Sequence, residues 1–151
     1  VLDKNNQEFL VSDDEYDEEF GTSKFAPVTK PTTYIWNIKD LEKPVMTGHF
    51  KGPVNSIDHN QYVYDGFAYQ SNYGSGLRVV DLRSIPDDPT GKGVKEVGFF
   101  DVYPNDDKQE GGGSVSFVGS WSSFAGFKSG YIYINSIERG GFVVKVRDIP
   151  P

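Results

Sequence analysis

Apolar residues in this chain come in short bursts closed by polar turns, and three of the bursts resemble one another. They are Tyr34-Ile35-Trp36-Asn37-Ile38-Lys39-Asp40-Leu41, Arg78-Val79-Val80-Asp81-Leu82-Arg83-Ser84-Ile85 and Phe142-Val143-Val144-Lys145-Val146-Arg147-Asp148-Ile149. Each reads as a buried strand, a polar turn and a closing Leu or Ile. The first two start 44 positions apart and the last two 64. A further strand pattern precedes each of them. Phe67 to Tyr73 matches Tyr131 to Ile137 at the same offset of 64, and Phe9 to Glu15 is the counterpart in the first unit. There a longer loop follows, from about Tyr16 to Thr33.

The middle unit holds four predicted strands: Ser56 to Tyr64, Phe67 to Asn72, Gly76 to Leu82 and Lys95 to Val102. Asn105 to Gly113 is polar, Gly-rich and without periodicity, and reads as an exposed loop that carries the extra length before the last unit. Four short strands in roughly 44 residues suit one blade of a propeller. The expected fold is therefore all-β, a β-propeller segment of about three four-stranded blades at residues 1–53, 54–104 and 114–151, with loop 105–113 between the last two. A blade buries its faces only against neighbours, and a closed ring usually needs about four or more. The segment is thus expected to belong to a larger closed propeller, with the remaining blades of the same protein, in an N-terminal part or a separate polypeptide, as its first partner. A β-sandwich of similarly spaced strands is the competing architecture. Strand pairs that repeat at a matched offset argue against it.

Composition narrows the function classes. Aromatics are 15% of the 151 residues, with 17 Gly and 9 Pro, which suits many short strands joined by turns. No apolar run is long enough for a membrane span. The net charge of -7 repels phosphate backbones, so no nucleic-acid partner is expected. With no Cys, disulfides and thiolate metal sites are excluded. The chain begins at Val1 without a signal peptide, read as a removed leader or a fragment, and no Asn-x-Ser/Thr sequon occurs.

Several ordered stretches carry a family resemblance. They are Asp58-His59-Asn60, Tyr69-Gln70-Ser71-Asn72-Tyr73, Ser75 to Asp81, Glu96 to Pro104, Gly119-Ser120-Trp121-Ser122 and Ile137 to Val144, with Thr33 to Ile38 at the start. Together they make the chain similar to the C-terminal half of the LVIVD-repeat proteins of the choice-of-anchor B type. The resemblance implies a secreted, extracellular β-propeller of bacteria or fungi and carries no established activity. The third unit departs from the family pattern at Gly141, Phe142 and Lys145.

Three features could carry chemistry. Asp13-Asp14-Glu15-Tyr16-Asp17-Glu18-Glu19 holds six carboxylates in seven residues, a density of hard oxygen ligands that could bind Ca²⁺, with Asp13, Asp14 and Glu15 as the metal candidates at a strand end. It lacks the ligand spacing of an EF-hand, and such charge runs are commonly solvated loops. Asp58, His59 and Asn60 are predicted on the innermost strand of the middle unit, where they could bind a polar ligand or a metal near the channel. His49 is predicted on an outer strand in a structural role. Ser120 and Trp121 occupy the equivalent region of the last unit, and a Trp beside hydroxyls suits carbohydrate recognition, though inner-strand Trp also serves packing. No G-x-S-x-G elbow is present, and Gly111-Gly112-Gly113 lacks the Lys-Ser/Thr of a phosphate loop. The leading expectation is a non-enzymatic scaffold for a carbohydrate or protein ligand, with Ca²⁺ as a candidate cofactor. The alternative is an extracellular polysaccharide hydrolase or lyase using His59 with Asp13, Asp14, Asp58 or Asp101 as acid and base.

Overall fold

A computed structural model describes Leu2, residues 7–21 and residues 29–147. Part of the loop expected from Tyr16 to Thr33, and the Asp148-Ile149 end of the third repeat, fall outside the described residues. The strands are β1 (Phe9–Ser12), β2 (Thr32–Asn37), β3 (Val45–Lys51), β4 (Asn60–Tyr64), β5 (Phe67–Ser71), β6 (Leu77–Asp81), β7 (Lys95–Phe100), β8 (Ser120–Phe124), β9 (Tyr131–Ser136) and β10 (Gly140–Lys145), with one short helix, α1 (Glu15–Glu19). They form three antiparallel meanders, β1-β2-β3, β4-β5-β6-β7 and β8-β9-β10.

The all-β expectation holds. The strands fall into three antiparallel sheets along the chain, and β5 and β9 start 64 residues apart. The strand count differs from three sets of four: among the described residues the sheets have three, four and three strands, and no closed sheet is present. The predicted strand from Ser56 also starts later, at Asn60. Ser56 and Asp58 are instead tied to other segments: Ser56 Oγ donates to the Asn72 carbonyl, and Asp58 accepts the Thr32 N–H. These ties hold the backbone out of the β4 ladder.

Turn chemistry fixes the hairpins. Asp65 and Gly66 link β4 to β5 with φ of 49° and 80°, the pair of positive φ angles that a two-residue type I′ turn requires. No helix was expected in the acidic run, yet Asp14 caps α1 by accepting the Tyr16 N–H at 3.2 Å. Glu15 and Asp17 in the first turn favour the positive end of the helix dipole.

The middle sheet is buried on both faces, which is why β5 and β6 read as continuous buried runs. Alternate residues serve two cores. Ala68, Val80 and Leu82 pack with Phe9, Val11 and Ile35 of the first sheet. Phe67, Tyr69, Leu77 and Val79 pack with Ile132 and Ile134 of the last. In β9 burial alternates strictly, so Tyr131 and Tyr133 lie on an open face. Loop 105–113 is exposed for most of its length, but Asp106 is buried and accepts both the backbone N–H and the hydroxyl of Ser114. No helix among the described residues is long and apolar enough to cross a membrane.

Candidate functional site

The first strand of the last sheet lies against the start of the middle sheet, and that contact assembles the site. Ser120 N donates to the Tyr73 carbonyl at 2.8 Å, forming an isolated bridge, and Ser71 Oγ donates to Ser123 Oγ at 2.9 Å. Gly119 permits the approach: it has φ of 83°, and a Cβ there would stand 2.4 Å from the Tyr73 carbonyl oxygen. The residue after Ser120 is thereby delivered to His59.

His59 sits just before β4 rather than within it, with His59 N donating to the Ser71 carbonyl. Its Nδ1 is 2.6 Å from the Trp121 carbonyl oxygen. A carbonyl can only accept, so Nδ1 carries the proton. That leaves Nε2 facing Glu15 Oε2 at 3.9 Å. The same Glu15 oxygen accepts the Tyr73 hydroxyl at 3.0 Å, and burial together with Glu15 pushes the Tyr73 phenol upward. Asn60 Nδ2 donates to the Trp121 carbonyl at 3.3 Å. The His59 and Trp121 rings lie 4.4 Å apart, and Tyr73 stands edge-on to both. Tyr73 is buried beneath this cluster, whereas Trp121 is 49% exposed. The result is an aromatic surface edged by a carboxylate, an imidazole and an amide.

Behind it lies a second group. Glu18, on the buried side of α1, is 1% exposed, and Asp58, the residue before His59, is 2% exposed. Glu18 Oε2 accepts the Asp58 N–H at 3.4 Å, and Asp58 Oδ2 accepts the Thr32 N–H at 3.2 Å. Glu18 Oε1, Asp58 Oδ1 and Asp13 Oδ2 are all buried without a hydrogen-bond partner. Burial pushes the Asp58 carboxyl up to about 9 and that of Glu18 to about 8, and neighbouring carboxylates add to both shifts. Burial also raises Asp13, to about 6. Among the described residues no ion pair reaches these three carboxylates.

The structure thus brings Asp58, His59, Asn60, Ser120 and Trp121 into one neighbourhood from two distant parts of the chain. Ser120 itself is buried, and its role there is carried by its backbone. The three metal candidates separate: Asp13 belongs to the buried group, Asp14 caps the helix, and Glu15 belongs to the aromatic surface. Asp101 accepts the Tyr103 N–H at 2.6 Å and is raised to about 6 by burial and by Asp107 beside it. His49 lies on β3, as expected of an outer strand. Sequence reading missed Tyr73, which sits in the turn after β5 at φ of 33°, and Glu18, whose burial depends on the unforeseen helix. The Asp14 cap followed by acidic residues is the signal that marks that helix.

Comparison of the chain with family models, curated proteins and solved structures returns no match.

Proposed function

We propose that this chain is part of a secreted β-propeller of the LVIVD-repeat type, and that it binds a neutral or amino-sugar polysaccharide without chemically altering it. The observation that carries the binding role is the half-exposed Trp121, set against His59 and backed by Tyr73, with Glu15 and Asn60 at its edge. An exposed indole offers a flat apolar face for a pyranose ring, and the polar groups around it suit hydroxyls or an ammonium. The net charge of -7 and the neighbouring carboxylates disfavour anionic sugars. The three repeated meanders and the family resemblance support the propeller reading, which also brings the expectation of secretion.

The test is binding to immobilised polysaccharides that are neutral, basic or acidic, for wild type and Trp121→Ala. Wild type should bind a neutral or basic polymer, and Trp121→Ala should lose about tenfold or more in affinity with little change in Tm. Retention of full affinity by the variant, or preference for the acidic polymers, contradicts the reading. The placement of Glu15 between Tyr73 and His59 also admits acid–base chemistry. Release of reducing ends by wild type but not by folded His59→Ala would assign the chain to hydrolysis instead.

A further inference from the structure

The buried carboxylates behind the aromatic surface make no ion pair among the described residues. The acidic run on α1 alone would be an ordinary solvated face. Asp58 changes that, because it comes from a different part of the chain, is 2% exposed and keeps Oδ1 buried without a partner beside Glu18. Glu18 Oε1 and Asp13 Oδ2 are likewise buried without a hydrogen-bond partner, and the Asp13 carboxylate lies near enough to act on both of the others by charge. A buried carboxylate is retained only with a proton, a counter-charge or a metal. Hard oxygen donors with no thiolate and no imidazole among them suit a calcium-like divalent cation.

We propose that Asp13, Glu18 and Asp58 hold a calcium-like divalent cation between α1 and the segment leading into β4. The set differs from the Asp13, Asp14 and Glu15 expected from the acidic run, because Asp14 is spent on the helix cap and Glu15 turns toward Tyr73. No group of three or more His, Asp or Glu among the described residues is already gathered around a metal position, so the three side chains must close on the ion for it to be held. Cation binding also has a route to the aromatic surface. Glu18 shares its helix with Glu15, and Asp58 adjoins His59 in the chain. An ion pinning Glu18 to Asp58 fixes the helix that carries Glu15 against the segment that carries His59.

The site is tested independently of any sugar. Thermal melting is followed against CaCl₂ after chelator treatment, and Tb³⁺ luminescence is excited through the neighbouring aromatics. The proteins are wild type, Glu18→Gln, Asp58→Asn, and a double variant Asp14→Asn/Glu19→Gln that removes two charges of the same acidic run. Wild type and the double variant should show a saturable rise of Tm with Ca²⁺ and Tb³⁺ emission that Ca²⁺ competes away. Glu18→Gln and Asp58→Asn, which keep side-chain shape, should weaken both responses about tenfold or more. The proposal is overturned by a wild type that responds to neither ion. It is equally overturned if both single variants respond as wild type does, or if only the double variant loses the response. Should Asp58→Asn fail to fold, Glu18→Gln alone decides between these outcomes.

Discussion

At the scale of single residues, the carboxylates of Glu18 and Asp58 make stability depend on pH. Their folded values are raised, to about 8 and about 9, mainly by burial. In the unfolded chain such groups titrate near 4. Between those values the folded state holds protons that the unfolded state has lost, so stability is greatest at the acid end and declines as pH rises. In the presence of a chelator, Tm is expected to fall between about pH 5 and pH 9. Glu18→Gln, neutral throughout, should flatten that fall. Asp81 is held low by Arg83 and titrates below this window, so it does not mask the effect. A Tm that is constant or rising across the range, measured by scanning fluorimetry, would show that these carboxyls are already compensated.

Among the elements, α1 and the turn before β8 place the functional side chains. Replacing the cap in Asp14→Ala removes the acceptor for the Tyr16 N–H, a loss of about 1 kcal/mol at such a position. Gly119→Ala forces a Cβ against the Tyr73 carbonyl and holds a non-Gly residue at positive φ, a strain of about 1–2 kcal/mol before any clash. Gly119→Ala is expected to lower Tm and to weaken sugar binding, because it moves Trp121 relative to His59. Unchanged binding in a variant of lowered Tm would separate the turn from the site. The same elements show what was legible beforehand. The repeated strands announced β5, β6, β9 and β10, because apolar bursts closed by polar turns are local signals. The repeat placed Asp58-His59-Asn60 and Trp121 at equivalent positions of two units, but their meeting was not legible, since it depends on β8 packing against the start of the middle sheet. The burial of Glu18 was not legible, since an acidic heptad reads as solvent-facing until its helix is packed against Asp58.

Taken as a whole, the molecule is a middle sheet covered on both faces by two flanking sheets. The flanking sheets are less complete: β10 is an edge strand, and Val143 on it is 67% exposed. Beside it runs a groove of about 270 Å³ lined by Leu77, Val97, Phe99, Val144 and Val146. Open edges and apolar grooves favour association. The isolated chain is expected to self-associate with rising concentration in sedimentation experiments, and Val143→Lys to reduce that association while preserving the sheet. A chain that stays monomeric over a wide concentration range would argue against incomplete flanks, and hence against membership of a larger ring.

Sugar recognition at Trp121 can be followed by the fluorescence of that residue. The chain has two Trp, and Trp36 is tied to Ser12 Oγ at 2.9 Å, so a folded Trp36→Phe protein reports on Trp121 alone. Titration with the soluble neutral and amino-sugar oligosaccharides of the binding panel should produce a saturable blue shift of its emission. Emission that stays unchanged across the panel would contradict the account.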